Sequence, residues 1–464
     1  MCCLAVLFTA CDDMFASEDN PTPAYLSMST SDVTIKVDGE FTRKAIAVTG
    51  AVIEYSSNHP EFATVDQQGT VKGIAEGEAT ITAKATGYNT SGKKIYETAE
   101  ISYKVIVKPN VVIATNITLS NSLEVMTLTD AAITITATPT PSAATINWSS
   151  SDEAVATVVN GEVTPVGKGL ATITAQSGDV KATCEVFVGE EYDLATVTAD
   201  ATIPDGSIVK GTLGANVKIS IADGAAVVLN GVTINGVHGA TYTWAGINCV
   251  GDATIILKDG STNYVRGFHH YYPGIHVPGD KNNPDNNKTL TIKAETAGTG
   301  SLEATGSKDD IYQEFWGAGI GGVYDGACGN IVIQGGIITA YGDEYGAGIG
   351  SGGLEDYDAS CGNITITGGT ITATGGKGAA GIGCGQGATY KKTTCGTITI
   401  TDGVTKVTAT KGGGYAPNSI GTGRDYSICG TVTIGGTEYW DGTAYQNGGD
   451  TYLTGNITYT PTAP

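Results

Sequence analysis

The stretch Gly317–Gly376 reads GAGIGG…CGNIVIQGGIITAYGDEYGAGIGSG…CGNITITGGTITATGG, one phrase written twice. It returns from Ala380 as AGIGCGQ…CGTITITDGVTKVTAT, and from Ser419 in shortened form as SIGTG…CGTVTIGG. Cysteines mark the period: Cys328, Cys361, Cys395 and Cys429 stand 33, 34 and 34 residues apart. Short β-prone runs broken by Gly pairs, repeated at this length, predict a stacked solenoid. Within one unit, Ile364, Ile366, Ile371 and Ala373 alternate with threonines, so the apolar side chains share one face. One unit cannot bury that face alone. Coils piled about 4.8 Å apart can, with Ile over Ile and Cys over Cys. The expected fold of 190–436 is therefore a parallel β-helix.

Working outward, the aperiodic segment 437–464 carries Tyr439, Trp440, Tyr445 and Tyr452 and is expected to cap the open end. Before the repeat, Thr196–Ile234 holds short β-prone runs separated by Gly or Asp-Gly, read as opening coils. Charged residues make up 16% of the 464, and no heptad or amphipathic helical pattern occurs, so the whole chain is expected to be all-β. The net charge of −22 excludes nucleic acid and anionic membrane surfaces as partners.

Residues 25–109 and 110–189 form two further β-rich regions. The first contains Ser56-Ser57-Asn58-His59-Pro60-Glu61-Phe62-Ala63-Thr64-Val65, then Gly69, Val71, Gly77 and Ala79. The second contains Trp148-Ser149-Ser150-Ser151-Asp152-Glu153-Ala154-Val155-Ala156-Thr157-Val158, then Gly161, Val163, Gly169 and Ala171 at the same offsets. Pro165 replaces the Gly73 of the first copy. These motifs resemble the group 2 bacterial immunoglobulin-like domain. The resemblance implies two β-sandwiches acting as spacers on a surface protein, with no catalytic residues to carry over. Trp148 is expected in the core. The order of this pair followed by Gly-Ile coils is similar to adhesin-like or carbohydrate-binding-like β-helical surface proteins of gut-type anaerobic bacteria.

The first eleven residues, MCCLAVLFTAC, form a short apolar run ending in Phe8-Thr9-Ala10-Cys11. They resemble a lipoprotein signal, which implies acylation of Cys11 and a tether over 12–24. No Lys or Arg precedes the apolar run, as such signals usually have, and Phe8 stands where Leu is commoner. Asp12 and Asp13 are similar to the acidic tag of surface-exported lipoproteins, which implies a lipid-anchored place on the outer membrane. The membrane is then touched only through that anchor, since no apolar run reaches the roughly 18 residues of a span. Seven cysteines remain beyond Cys11, an odd number, so they cannot all pair within one chain. The four periodic ones are read as a buried thiol ladder, because a line of sulfurs is not the closed tetrahedral set that zinc needs.

Candidate binding residues gather at the corner before each Gly-Ile strand. Trp244 lies in one coil, His270 and Tyr272 in the next, then Phe315 and Trp316, then Tyr341 and Tyr345. Stacking would align them along one edge. Flat ring faces suit the apolar C–H face of a sugar, and they equally suit packing of loop against coil. Acids share the corner: Asp309, Asp310 and Glu314, then Asp343 and Glu344. Calcium, which takes six to eight oxygens, is the one metal they could hold; no other cofactor is implied. The adjacent His269 and His270 are weak grounds for a metal. The alternatives are a polysaccharide lyase or glycosidase, for which no motif supplies a base or a carboxylate pair, and a purely structural cell-surface protein. The expected partner is a polysaccharide, or a glycoprotein on a host or neighbouring cell, and the chain is expected to bind rather than catalyse.

Overall fold

A computed structural model describes residues 22–23, 25–87, 96–236, 241–307, 316–413 and 415–461. The described structure is all-β, and it divides into two compact units, Met1–Ile113 and Ala114–Pro464.

In the first unit, a four-stranded sheet of Val33–Lys36, Ala99–Lys108, Gly77–Gly87 and Ala51–Ser57 faces a three-stranded sheet of Glu40–Thr42, Thr70–Gly73 and Ala63–Val65. Alternation explains the layering. Ala79, Ile81, Ala83 and Ala85 are buried, while the residues between them reach solvent. The Arg43 guanidinium lies 4.2 Å from the Tyr103 ring centre and covers it.

The second unit opens with another sandwich. Its main sheet joins Leu123–Thr127, Val180–Asp193, Gly169–Ser177 and Asn147–Ser150. Ile135, Val163, Ile173, Cys184 and Val186 fill its core, with Trp148 packed against them as its sequence context implied. The strand Val180–Asp193 then leaves the sandwich without a break. Its last residues, Glu190 to Asp193, pair in parallel with Ser207 to Lys210. The boundary expected between Gly189 and Glu190 thus falls inside one continuous strand, and no linker separates sandwich from coils.

From there the chain winds in parallel, coil upon coil. One described wall takes Ala253–Leu257, Thr289–Ala294, Asn330–Ile333, Ile364–Ile366, Ile398–Ile400 and Val432–Ile434 in sequence. A second takes Thr262–Arg266, Ser301–Thr305, Ile337–Tyr341, Thr370–Thr374 and Lys406–Thr410. The Gly-Ile strands form a third sheet, with Ile275, Ile320, Ile349, Ile382 and Ile420 in one register row. The cysteine strands form a fourth, in which Cys328, Cys361, Cys395 and Cys429 align. The expected one-period adjacency is therefore observed. All these Ile and Cys side chains are buried in one continuous core.

Glycine makes the close approach possible. A Cβ on Gly348 would lie 2.7 Å from the Gly381 carbonyl oxygen and 2.7 Å from the Thr374 nitrogen, in the next coil. Two residues on, Gly350 turns the chain at φ 141°, a conformation that side chains disfavour. The stack ends where pairing reverses: Thr437–Trp440 and Ile457–Tyr459 add antiparallel to the last strands of the two walls. Tyr439 and Tyr452 stack there at 4.5 Å.

Outside the core, Val228 and Ile256 point away from the stack interior, and the second sandwich covers them. Leu123, Val125, Phe187, Ile208, Val228 and Ile256 make a separate buried cluster. Glu295 ties the two parts with both oxygens: Oε1 accepts from the Val125 N–H at 3.0 Å and Oε2 from the Asp259 N–H at 2.9 Å.

Candidate functional site

Each coil leaves the second wall, turns a corner and enters the Gly-Ile sheet. The corners differ in length while the flanking strands keep register, so the aromatic residues are carried on loops held by a rigid frame. Trp244 is half-buried, with its ring 5.6 Å from Tyr242 and 5.8 Å from Phe268, which is fully buried. This is one cluster by itself.

A second group is continuous. His269 and His270 stack at 4.0 Å, and His270 meets Tyr271 at 3.9 Å. Tyr271 stacks on Tyr324 at 4.4 Å, Tyr324 meets Trp316 at 5.2 Å, and Trp316 meets Tyr345 at 4.3 Å. Backbone bonds fix these coils together: the Trp316 N–H donates to the His270 carbonyl at 2.8 Å and the Tyr324 N–H to the Tyr271 carbonyl at 2.9 Å. The structure therefore brings His270, Trp316 and Tyr345 into one chain of rings. It joins them through Tyr271, a member of the same aromatic corner, and through Tyr324, which the sequence did not single out. Tyr272 reaches the group through His269 at 6.1 Å. Trp316 is 7% exposed, so its faces serve packing rather than solvent. The Tyr324 hydroxyl is held protonated, first by burial and then by the carboxylates of Asp325, Glu355 and Asp356. Tyr341 differs: it ends a wall strand and is 42% exposed. Phe315 lies outside the described residues.

Of the acids, Asp309, Asp310 and Glu314 lie outside the described residues, as does Cys11. Asp343 is buried at the corner, its N–H donating to the Gly317 carbonyl at 2.9 Å. The Glu344 carboxylate pairs with Lys377 Nζ at 3.5 Å. Among the described residues, no group of three or more His, Cys, Asp or Glu is arranged to hold a metal ion.

Exposure points to the opposite corner, between the Gly-Ile strand and the cysteine strand. Tyr357, Tyr390 and Tyr426 there are 63%, 90% and 53% exposed. They sit two, three and one residue before Ala359, Thr393 and Ser427, which are register partners. The three rings thus fall within one residue of common register on successive coils. With Tyr324 they recur at intervals of 33, 33 and 36 residues, nearly the cysteine period. That recurrence is the signal the sequence offers for this corner. At the end of the stack, Asp402, Val404, Thr405, Tyr439 and Tyr459 border a hollow of about 750 Å³ in which the Tyr459 hydroxyl bonds to the Asp402 carboxylate.

With the geometry in place, comparison with known proteins identifies parts of the chain. The model of the family described as bacterial Ig-like domain (group 2) matches residues 27–94 and 113–186, the two sandwiches. Among solved structures, domains 4 and 5 of the S-layer protein SbsC are 22% identical, cover 36% of this chain and 98% of that one, and give a TM-score of 0.15. Domains EC1-2 of human protocadherin-24 are 14% identical, with 36% and 99% covered and a TM-score of 0.17. The insect immune protein hemolin is 16% identical, with 36% and 46% covered and a TM-score of 0.19. Among curated proteins, alpha-1,3-galactosidase A of Peterkaempfera griseoplana is 38% identical over 61 residues, 13% of this chain. The chain spans only 8% of that protein's length.

Proposed function

We propose that this chain is a surface-anchored glycan-binding protein whose coil stack is a parallel β-helix. Cys11 carries the lipid, the first sandwich spaces the molecule from the outer membrane, and the second sandwich is a fixed base for the helix. Group 2 bacterial Ig-like domains are typical of surface and adhesion proteins, which supports the location. One observation carries the binding role. Among the described residues from 241 to 461, every tyrosine exposed beyond 40%, namely Tyr341, Tyr357, Tyr390, Tyr415 and Tyr426, sits at a wall end or a corner. Exposed rings on a rigid frame offer flat, weakly hydrated faces with a polar edge, which suit sugar rings. Calcium, which takes six to eight oxygens, would be held by the corner acids Asp309, Asp310, Glu314, Asp343 and Glu344.

Binding of the full chain to a glycan array, with and without chelator, tests this reading. Retention of a defined glycan class supports it, and sensitivity to chelator supports calcium. Attachment to cells that survives every glycan competitor would favour a protein adhesin instead. A second reading, a polysaccharide-degrading enzyme, has the short likeness to alpha-1,3-galactosidase A in its favour. Release of new reducing ends from a retained polysaccharide would establish it. Loss of metabolic palmitate labelling in Cys11→Ala tests the anchor.

A further inference from the structure

We propose that Tyr357, Tyr390 and Tyr426 form one row of ring platforms that holds a neutral polysaccharide lengthwise along the coil stack. This rests on the glycan reading above and assigns it to one corner. Three features lead there.

The first is spacing. The loops that carry the rings are tied coil to coil by backbone hydrogen bonds: Ala359 N–H to the Lys392 carbonyl at 3.2 Å, and Thr393 N–H to the Tyr426 carbonyl at 3.1 Å. The sheet that follows them repeats at about 4.8 Å per coil. Ring-bearing loops therefore recur on consecutive coils along the stack axis, which suits a polymer of repeating rings better than a compact ligand.

The second is availability. Tyr324, next in the same series, is stacked on Tyr271 and closes the row at that end. Tyr415 of the other corner is flanked by two cations, Arg424 at 4.8 Å and Lys377 at 5.9 Å, whereas Tyr357 has Lys281 Nζ alone, at 5.9 Å. Tyr390, at 90% exposure, has its faces open to solvent.

The third is charge. In these loops Glu355, Asp356, Asp358 and Asp425 stand against Lys391, Lys392 and Arg424, a near balance within a chain of net charge −22. No field here gathers a polyanion. Uncharged sugar rings lose nothing to that balance.

Retardation of the full chain in native gels containing glucomannan, xyloglucan, galactomannan or arabinoxylan, with polygalacturonate and heparin as charged probes, tests the assignment. At least one neutral polymer should slow the chain, and the two polyanions should not. The triple variant Tyr357→Ala/Tyr390→Ala/Tyr426→Ala should lose the retardation, and each single variant should weaken it about twofold to tenfold, the range of one aromatic contact. The corresponding Tyr→Phe triple, which keeps the ring faces, should retain it. All three positions are exposed, so circular dichroism should be unchanged. If the triple Ala variant binds normally while Tyr341→Ala/Tyr415→Ala does not, this assignment falls and the glycan reading stands. If only a polyanion retards the chain, this assignment falls and the glycan reading stands; if no polymer does, both fall.

Discussion

Lys293, on the outer face of the first wall, points its ammonium 2.6 Å from the carboxylate of Glu185 in the second sandwich. The residues come from different folding elements, 108 positions apart. Their meeting beside the buried cluster around Phe187 makes sandwich and coils one body. A joint of this kind fixes the orientation of sandwich and coils, where a flexible linker would not.

The apolar cluster should matter more than the ion pair. Phe187 is fully buried, so Phe187→Ala should cost about 3–5 kcal/mol. Lys293→Met removes a partly exposed pair and should cost about 1 kcal/mol or less. Urea melts of the two variants, read as midpoint shifts, check the order.

Close coil contact at Gly348 predicts intolerance of a single methyl. Gly348→Ala meets backbone atoms of the next coil, which cannot move independently, and should cost about 1–3 kcal/mol. The same change at Gly442, where nothing lies within 4 Å, meets no atoms; its cost is backbone strain alone, from φ 95°. Thermal melting of the pair separates packing from strain.

The cysteine row predicts inert thiols. Cys328 and Cys361 bring their sulfurs to 3.1 Å in the closed core. Burial pushes Cys249 up to about 12 and Cys328 well above the ordinary thiol range. Maleimide should label none of the cysteines from Cys184 to Cys429 in the native chain and all of them in guanidinium. Cys361→Ser, whose shorter hydroxyl falls short of the Gly329 carbonyl that Cys361 Sγ meets at 3.6 Å, should be less stable than Cys361→Ala by about 1–3 kcal/mol.

His276 gives the stack a pH dependence. Burial lowers its pKa from 6.5, and its Nδ1 lies 2.8 Å from the Gly321 carbonyl oxygen. The unfolded chain therefore takes up the proton first as pH falls. This contribution is whole above pH 6.5 and drains as pH drops from 6.5 through the lowered folded value. His276→Asn should flatten the stability profile just below pH 6.5, measured by urea melts at stepped pH.

The periodic cysteines and Gly-Ile strands made the stacking legible, because a repeat can bury its alternate residues only against its own copies. The offsets around Gly69 and Gly161 made the sandwiches legible. Docking of the second sandwich was written in the runs Val227-Val228-Leu229 and Ile255-Ile256-Leu257, where apolar residues fill both faces of a strand and call for cover on the outside. The binding residues were harder. Residue type marks Trp316 and Tyr390 alike as aromatic, and only burial shows that one is packed and the other presented.

Pyrene labels at Thr365→Cys and Thr399→Cys test the stacking most directly. These two wall positions are register partners on consecutive coils, 34 residues apart in the chain. Excimer emission from the doubly labelled native chain, lost on unfolding, is the predicted result. Monomer emission alone would contradict the stack and every row of neighbours drawn from it.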